Sequence, residues 1–259
     1  MIARQPSGKT RADLLLVARG LFESRAKARA AIEAGGVNAD GRIVAKAAEL
    51  LANDAAIAAT PAHPWVGRGA LKLEHALMLW PIALGGRVVL DIGASTGGFT
   101  EVCLAAGAAR VYAVDVGRGQ LHASLADDPR VVSLEARDAR SLTAVDISQQ
   151  PSLIVCDVSF IGLAKALPAA LALAAGDADL LALVKPQFEV GPARVGKGGL
   201  VKDDAARLAA LEGVKAFLAQ SGWAVQAVAD SPVEGGDGNR EYLVWAKKMA
   251  ARPAADGQS

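Results

Sequence analysis

Short apolar runs alternate with helix-length stretches along most of this chain. Val88–Ile92, Arg110–Asp115, Arg130–Leu134, Ser152–Asp157 and Leu180–Lys185 are brief and dominated by aliphatic residues, the pattern of strands buried on both faces. Phe99 onward, Gly119–Ala126, Gly162–Ala174 and Asp204–Gln220 read as helices between or after them. Strands alternating with helices predict a doubly wound, mainly parallel α/β sheet. Trp223–Ala229 and Glu241–Trp245 are joined only by a glycine-rich loop, so they are expected to pair antiparallel and complete seven strands.

A different pattern precedes this alternation. Residues 1–10 read as a disordered basic lead, and Asp13–Arg19 as a short helix stopped by Gly20. Ser24 caps a second helix reaching about Ala34, with Ala28, Ala31 and Ile32 as its apolar stripe. Val37–Val44 is a hairpin with Asp40-Gly41 at its turn, and Ala55–Ala59 a closing strand. These elements predict a small α+β domain over 1–60. Residues 61–67 follow as a proline-bearing linker, 68–248 as the α/β domain and 249–259 as a disordered tail. From Arg68 a helix carries Leu73, Ala76, Leu77 and Trp80 at helical spacing. Lys72 lies off that stripe, and spacing alone makes it a surface lysine.

Charge sharpens the division. Net charge is +1, yet residues 1–60 hold nine Lys/Arg against six Asp/Glu, and residues 1–30 seven against two. A basic small domain suggests an anionic partner; a solvated helix face is the plainer reading of the same arginines. Cys103 and Cys156 fall in predicted buried elements without metal-ligand spacing and suit a reducing compartment. No metal site is expected. The N-terminus lacks the apolar core of a signal peptide, and Ile161–Val184 is broken by Lys165, Pro168, Asp177 and Asp179. The chain is therefore expected to be cytoplasmic and not to enter a membrane.

Candidate chemistry centres on Asp91-Ile-Gly-Ala-Ser-Thr-Gly-Gly-Phe-Thr100. Gly93, Gly97 and Gly98 force a tight turn between strand and helix, the usual ligand cradle of such sheets. Ser95 replaces the middle glycine of a dinucleotide fingerprint, and Asp91 before the turn would repel a pyrophosphate but attract an ammonium or sulfonium. Asp115 ends the next strand 24 residues later, a spacing that suits ribose hydroxyls. Asp138 follows the third strand as a candidate partner for an adenine amino group. Acids at three successive strand ends suit S-adenosylmethionine, cationic and free of phosphate; each alone also suits a helix cap or a solvated loop.

Two further charges end apolar strands, Asp157 after Leu153-Ile-Val-Cys and Lys185 after Leu180-Leu-Ala-Leu-Val. Glu241 begins the antiparallel strand and so belongs at the same sheet edge. Arg11-Ala-Asp-Leu-Leu-Leu-Val-Ala-Arg-Gly, Glu23-Ser-Arg-Ala-Lys-Ala-Arg and Gly36-Val-Asn-Ala-Asp-Gly-Arg-Ile-Val resemble the RNA-binding fold first described in ribosomal protein S-four. The glycine cradle with Phe99, then Cys-Asp-Val-Ser-Phe, Leu-Val-Lys-Pro-Gln-Phe-Glu and Gly-Asn-Arg-Glu-Tyr, resemble in order the TlyA family. That family, also labelled haemolysin A, belongs with the FtsJ-like RNA ribose methyltransferases. The resemblance implies a Rossmann-like methyltransferase sheet, S-adenosylmethionine as cofactor, and 2′-O-methylation of cytidines in the ribosomal RNA of both subunits. It also implies a catalytic tetrad on Lys72, Asp157, Lys185 and Glu241; only the resemblance raises Lys72 above a surface lysine. In the linker, His63-Pro-Trp-Val stands where some members have Arg-x-Trp-Val.

The chemistry suits those residues. A sulfonium methyl is already activated, so positioning and removal of the hydroxyl proton remain. Lys185 is the candidate base; burial and a second lysine favour its neutral form, and the carboxylates oppose that. The expected RNA contacts are Arg11, Arg19, Arg25, Lys27, Arg29, Arg42, Lys46 and Arg68, with Arg194 and Lys197 on a glycine-rich loop. A ribosome-assembly factor that only binds RNA is the alternative, and a membrane-acting haemolysin lacks an insertable segment.

Overall fold

In the computed structural model of the chain, which describes residues 8–235 and 238–250, the alternation becomes two compact units that divide between Pro64 and Trp65. The first holds β1 (Lys9–Arg11), α1 (Ala12–Ala18), α2 (Arg25–Glu33), β2 (Val37–Ala39), β3 (Arg42–Ile43), β4 (Leu50–Ala52) and β5 (Ile57–Ala59). Ser24 accepts a hydrogen bond from the Lys27 N–H and starts α2. Asp40 and Gly41, with φ of 50° and 80°, make the hairpin turn between β2 and β3. β5 adds to β2, and Leu16, Ala28, Ala31, Ile32 and Val37 fill the core beneath.

One expectation for this unit is corrected, and one strand is unexpected. Lys9 and Thr10 do not belong to a disordered lead, because β1 pairs antiparallel with β4; residues 1–7 lie outside the described ones. β4 itself is too short, at three residues, to show alternation in the sequence.

The second unit begins with α3 (Ala70–Leu79) and continues as β6 (Val88–Ile92), α4 (Gly98–Ala105), β7 (Arg110–Val114), α5 (Ala123–Ala126) and β8 (Val131–Leu134). After β9 (Leu153–Cys156) come α6 (Leu163–Ala166), α7 (Pro168–Leu173), β10 (Asp179–Val184), α8 (Pro186–Glu189), α9 (Asp204–Gln220), β11 (Trp223–Asp230) and β12 (Tyr242–Lys248). The seven-stranded sheet has the order β11-β12-β10-β9-β6-β7-β8, parallel except for β12, which runs against both of its neighbours. Alternate strand residues feed opposite layers. Leu90, Ile92, Tyr112, Ile154 and Cys156 pack with α6, α7 and α9, whereas Val89, Val111, Leu153 and Val155 pack with α3 and α4. Each fully buried large aliphatic contributes roughly 1.5–3 kcal/mol. Because β6 lies between β7 and β9, the chain reverses its winding direction there, and the carboxyl ends of those strands open a crevice.

Two expected helices are shorter than their patterns. The segment from Gly119 to Ala126 is helical only as α5, since the Glu135 carboxylate takes the N–H groups of Gly119, Gln120 and Leu121. Pro168 divides Gly162–Ala174 into α6 and α7. Met249, assigned to the disordered tail, donates its N–H to the Gly222 carbonyl; residues 251–259 lie outside the described ones. Among the described residues, no helix is long and apolar enough to cross a membrane, and no three His, Cys, Asp or Glu side chains are placed to hold a metal.

Candidate active site

Neighbouring strand ends bring the charged residues together. Asp157 follows β9, Lys185 follows β10, and Glu241 precedes β12, whose Tyr242 pairs with Val184. Lys72 reaches them from α3. Its Nζ lies 2.5 Å from Glu241 Oε2 and 3.9 Å from Asp157 Oδ2, while Lys185 Nζ lies 2.6 Å from Asp157 Oδ1. Lys185 also donates to the Ser159 hydroxyl at 2.9 Å. Lys72, Lys185 and Glu241 are 6%, 8% and 2% exposed and the Asp157 side chain 18%, so two cations and two carboxylates balance one another with Asp157 on the crevice side. Spacing alone therefore misplaces Lys72. It stands four residues before buried Ala76, at the border of the stripe, and its ion pair compensates its burial.

Beside this cluster lies a cavity of about 1370 Å³ at the carboxyl ends of β6, β7 and β9. Of the proposed cofactor residues, Gly93, Ser95, Asp115, Asp138 and Asp157 line it. Gly93 has φ of 84°, and a Cβ there would come 2.8 Å from the Asp157 carbonyl oxygen. The turn thus needs glycine and brings β6 against the loop after β9. Asp115 accepts from the N–H groups of Ser95 and Gly117 at 2.8 and 2.7 Å. Glu135, which sequence reasoning passed over for Asp138, fixes the following loop through its three main-chain bonds, and these hold its carboxyl below the usual range. Its signal was its place directly after the β8 strand.

Several placements differ from expectation. Asp91 is fully buried and does not line the cavity: its Oδ2 accepts from the Thr100 hydroxyl at 2.7 Å, while its Oδ1 has no partner among the described residues. Burial pushes its carboxyl up to about 7. Gly97, Gly98 and Phe99 do not line the cavity either. Gly97, at φ of 94°, backs onto Leu121 and Leu125, Gly98 packs toward Ala70, and Phe99 is in the layer beneath. Asp138 caps a 3₁₀ turn and pairs with Arg140 at 2.6 Å. Lys72, Lys185 and Glu241 do not face the cavity; it meets their cluster at Asp157 and Ser159. Ser159 was missed as a site residue, although it stands two positions beyond Asp157 at a strand end. Phe160 is 92% exposed at the rim, 5.3 Å from the Phe188 ring.

The carboxylates of Asp115, Asp138 and Asp157 around a glycine cradle suit a cationic ligand with ribose hydroxyls, Asp115 being held by two main-chain N–H groups and Asp138 by Arg140. The basic residues are more scattered. In the first unit Arg11, Arg25 and Arg29 all bond Asp13, Lys27 pairs with Glu23, and Arg42 pairs with Glu49. Arg19 donates to the carbonyls of Asn53 and Ala55, and Lys46 is exposed. In the second unit Arg68, Arg194 and Lys197 are exposed, the last two on 3₁₀ turns.

Residues 65–248 match the model of the FtsJ-like methyltransferase family. The chain is 46% identical to the 16S/23S rRNA (cytidine-2'-O)-methyltransferase TlyA of Mycobacterium tuberculosis, over 94% of this chain and 92% of that protein. A solved Streptococcus thermophilus structure, provisionally named a hemolysin, is 38% identical with a TM-score of 0.75, over 96% of this chain and 92% of that one. A solved Listeria monocytogenes structure, provisionally named an S-adenosylmethionine dependent methyltransferase, is 12% identical with a TM-score of 0.52 over 70% of this chain and all of its own, and shares the fold.

Proposed function

The chain belongs to the FtsJ-like methyltransferases, and on that premise we propose that it methylates the ribose 2′-hydroxyl of cytidines in ribosomal RNA, using S-adenosylmethionine. The observation that carries this reading is the buried Lys72–Glu241 and Asp157–Lys185 cluster meeting the cavity at Asp157 and Ser159. Gly93, Ser95, Asp115, Asp138 and Asp157 would hold the cofactor. When bound, it supplies a methyl group activated by its sulfonium. The protein's share is then to aim the ribose oxygen and accept its proton.

Lys185 Nζ takes that proton as a neutral amine, its own extra proton having first left to solvent. Asp157, ion-paired with it, fixes the amine and compensates the charge it gains, and Ser159 sets its direction. Lys72 balances Asp157, and Glu241 holds Lys72 in place. Phe160 and Phe188 offer aromatic surface to an unstacked base. The basic first unit, 1–60, acts as an S-four-type RNA-binding domain, and the whole works in the cytoplasm.

Alkali cleaves RNA only where a free 2′-hydroxyl can attack the adjacent phosphate. Ribosomal subunits lacking the modification, incubated with the protein and S-adenosylmethionine, should therefore show a gap in the alkaline ladder at a cytidine. A continuous ladder with both subunits would move the chain toward an RNA-binding assembly role.

A further inference from the structure

In the first unit three arginines converge on one acid. Asp13, the second residue of α1, is fully buried. Arg11 reaches its Oδ1 through Nε at 3.1 Å and its Oδ2 through Nη2 at 3.3 Å. Arg25 binds Oδ2 through Nε and Nη2 at 3.2 and 2.9 Å, and Arg29 binds Oδ2 through Nε at 3.3 Å. Arg25 and Arg29 are four residues apart on α2 and so share one face.

The three side chains are 40%, 48% and 49% exposed, whereas the acid that holds them has no surface. Every guanidinium turns its Nε edge to Asp13, and among the described residues no Nη1 atom of the three has a bonded partner. Three positive charges against one negative leave a local excess of two, and all the negative charge is on the inner side. The other ion pairs of this unit among the described residues differ. Lys27–Glu23 and Arg42–Glu49 carry partly exposed carboxylates, so each pair presents both signs to solvent.

We infer that Asp13 is a positioning residue that assembles Arg11, Arg25 and Arg29 into one preorganised site for RNA backbone phosphate. The inference rests on the proposed RNA substrate and adds that the arginines bind as a unit. A guanidinium binds phosphate best through two parallel N–H groups, so its direction matters as well as its charge. Held by their Nε edges, the three cannot fold back on the surface or pair with outer acids. Less ordering entropy is then lost when a phosphate docks.

Asp13→Asn separates orientation from charge, because it raises the net charge by one. If the arginines offered only diffuse charge, RNA would bind the variant more tightly. The full-length variant and wild type would be titrated with in vitro transcribed, hence unmethylated, ribosomal RNA over a range of salt concentrations, with heparin-column retention as a charge-only control. The expected result is about tenfold weaker RNA binding and a shallower salt dependence, from about two fewer phosphate contacts, with heparin retention unchanged or later. RNA binding as tight as wild type or tighter overturns the inference. Should Asp13→Asn unfold the unit, by circular dichroism, the double variant Arg25→Lys/Arg29→Lys decides, since it keeps every charge and loses the forks. A similar tenfold loss supports the inference, and wild-type affinity overturns it. A wild-type chain that does not bind ribosomal RNA would instead refute the RNA reading itself.

Discussion

Asp13 and Asp91 are both fully buried aspartates, and the molecule pushes them in opposite directions. The Arg11 guanidinium, with Arg25 beside it, holds the Asp13 carboxyl far below its ordinary range against its burial. Among the described residues Asp91 has a threonine hydroxyl and no cation; burial, with Asp157 and Asp115 nearby, pushes it up to about 7. Partners, rather than depth, decide which charge state a buried acid keeps. The first arrangement secures an outward-facing cationic surface. The second leaves an acid that changes charge near neutrality beneath the glycine turn. The lysine–carboxylate cluster combines features of both, with its acids paired and its cations buried too.

The largest loss of activity and stability together is expected where cation and acid are both buried. Glu241→Gln leaves Lys72 facing a neutral amide inside the protein. Removing one partner of such a pair costs about 3 kcal/mol. For a unit of this size that lowers the melting temperature by about 8 °C. A thermal melt and a methyl-transfer assay should show both the shift and a loss of activity. An unchanged melting temperature would mean that the pair adds nothing to the fold.

An effect spread over a pH window, and with a defined sign, is expected at Asp91. Its carboxyl keeps its proton in the folded state up to about pH 7, whereas the unfolded chain releases it near 3.8. Its contribution to stability is therefore complete below pH 3.8 and is lost as pH rises toward 7, about 4 kcal/mol across that window. Asp13 acts the other way: its contribution is present above 3.8 and is lost as pH falls. Asp91→Asn should remove the decline between pH 4 and 7 in denaturant titrations compared with wild type. Parallel pH profiles for the two proteins would assign the decline to other groups.

The contrast also explains what could be read from the chain before its structure. Buried parallel strands are continuous apolar runs, so a charge at the end of one, such as Asp157 or Lys185, stands out. Asp91 stands out for the same reason, but its direction does not. It lies within β6 and turns toward Thr100 on α4, away from the cavity, which no spacing reveals. Lys72 is hidden in the opposite way, because its burial depends on Glu241, 169 residues away. The Asp13 hub joins residues from β1, α1 and α2, and in the sequence its arginines look like any solvated helix face. What is legible comes from local pattern, and what is not comes from pairs that only the fold brings together.

The central claim is that the buried cluster removes the ribose proton through Lys185. The most direct measurement is the alkaline ladder of unmodified ribosomal subunits treated with wild type, Lys185→Ala or Lys185→Arg, with S-adenosylmethionine binding followed by calorimetry. A guanidinium keeps its proton near neutral pH and cannot accept another. Wild type should leave a gap at a cytidine. Both variants should leave the ladder continuous, with rates at least about 10²-fold lower, in keeping with the loss of a general base, while cofactor affinity stays within about twofold of wild type. A gap of wild-type depth with Lys185→Arg would contradict the account, because position 185 would then supply charge and the proton would leave by another route.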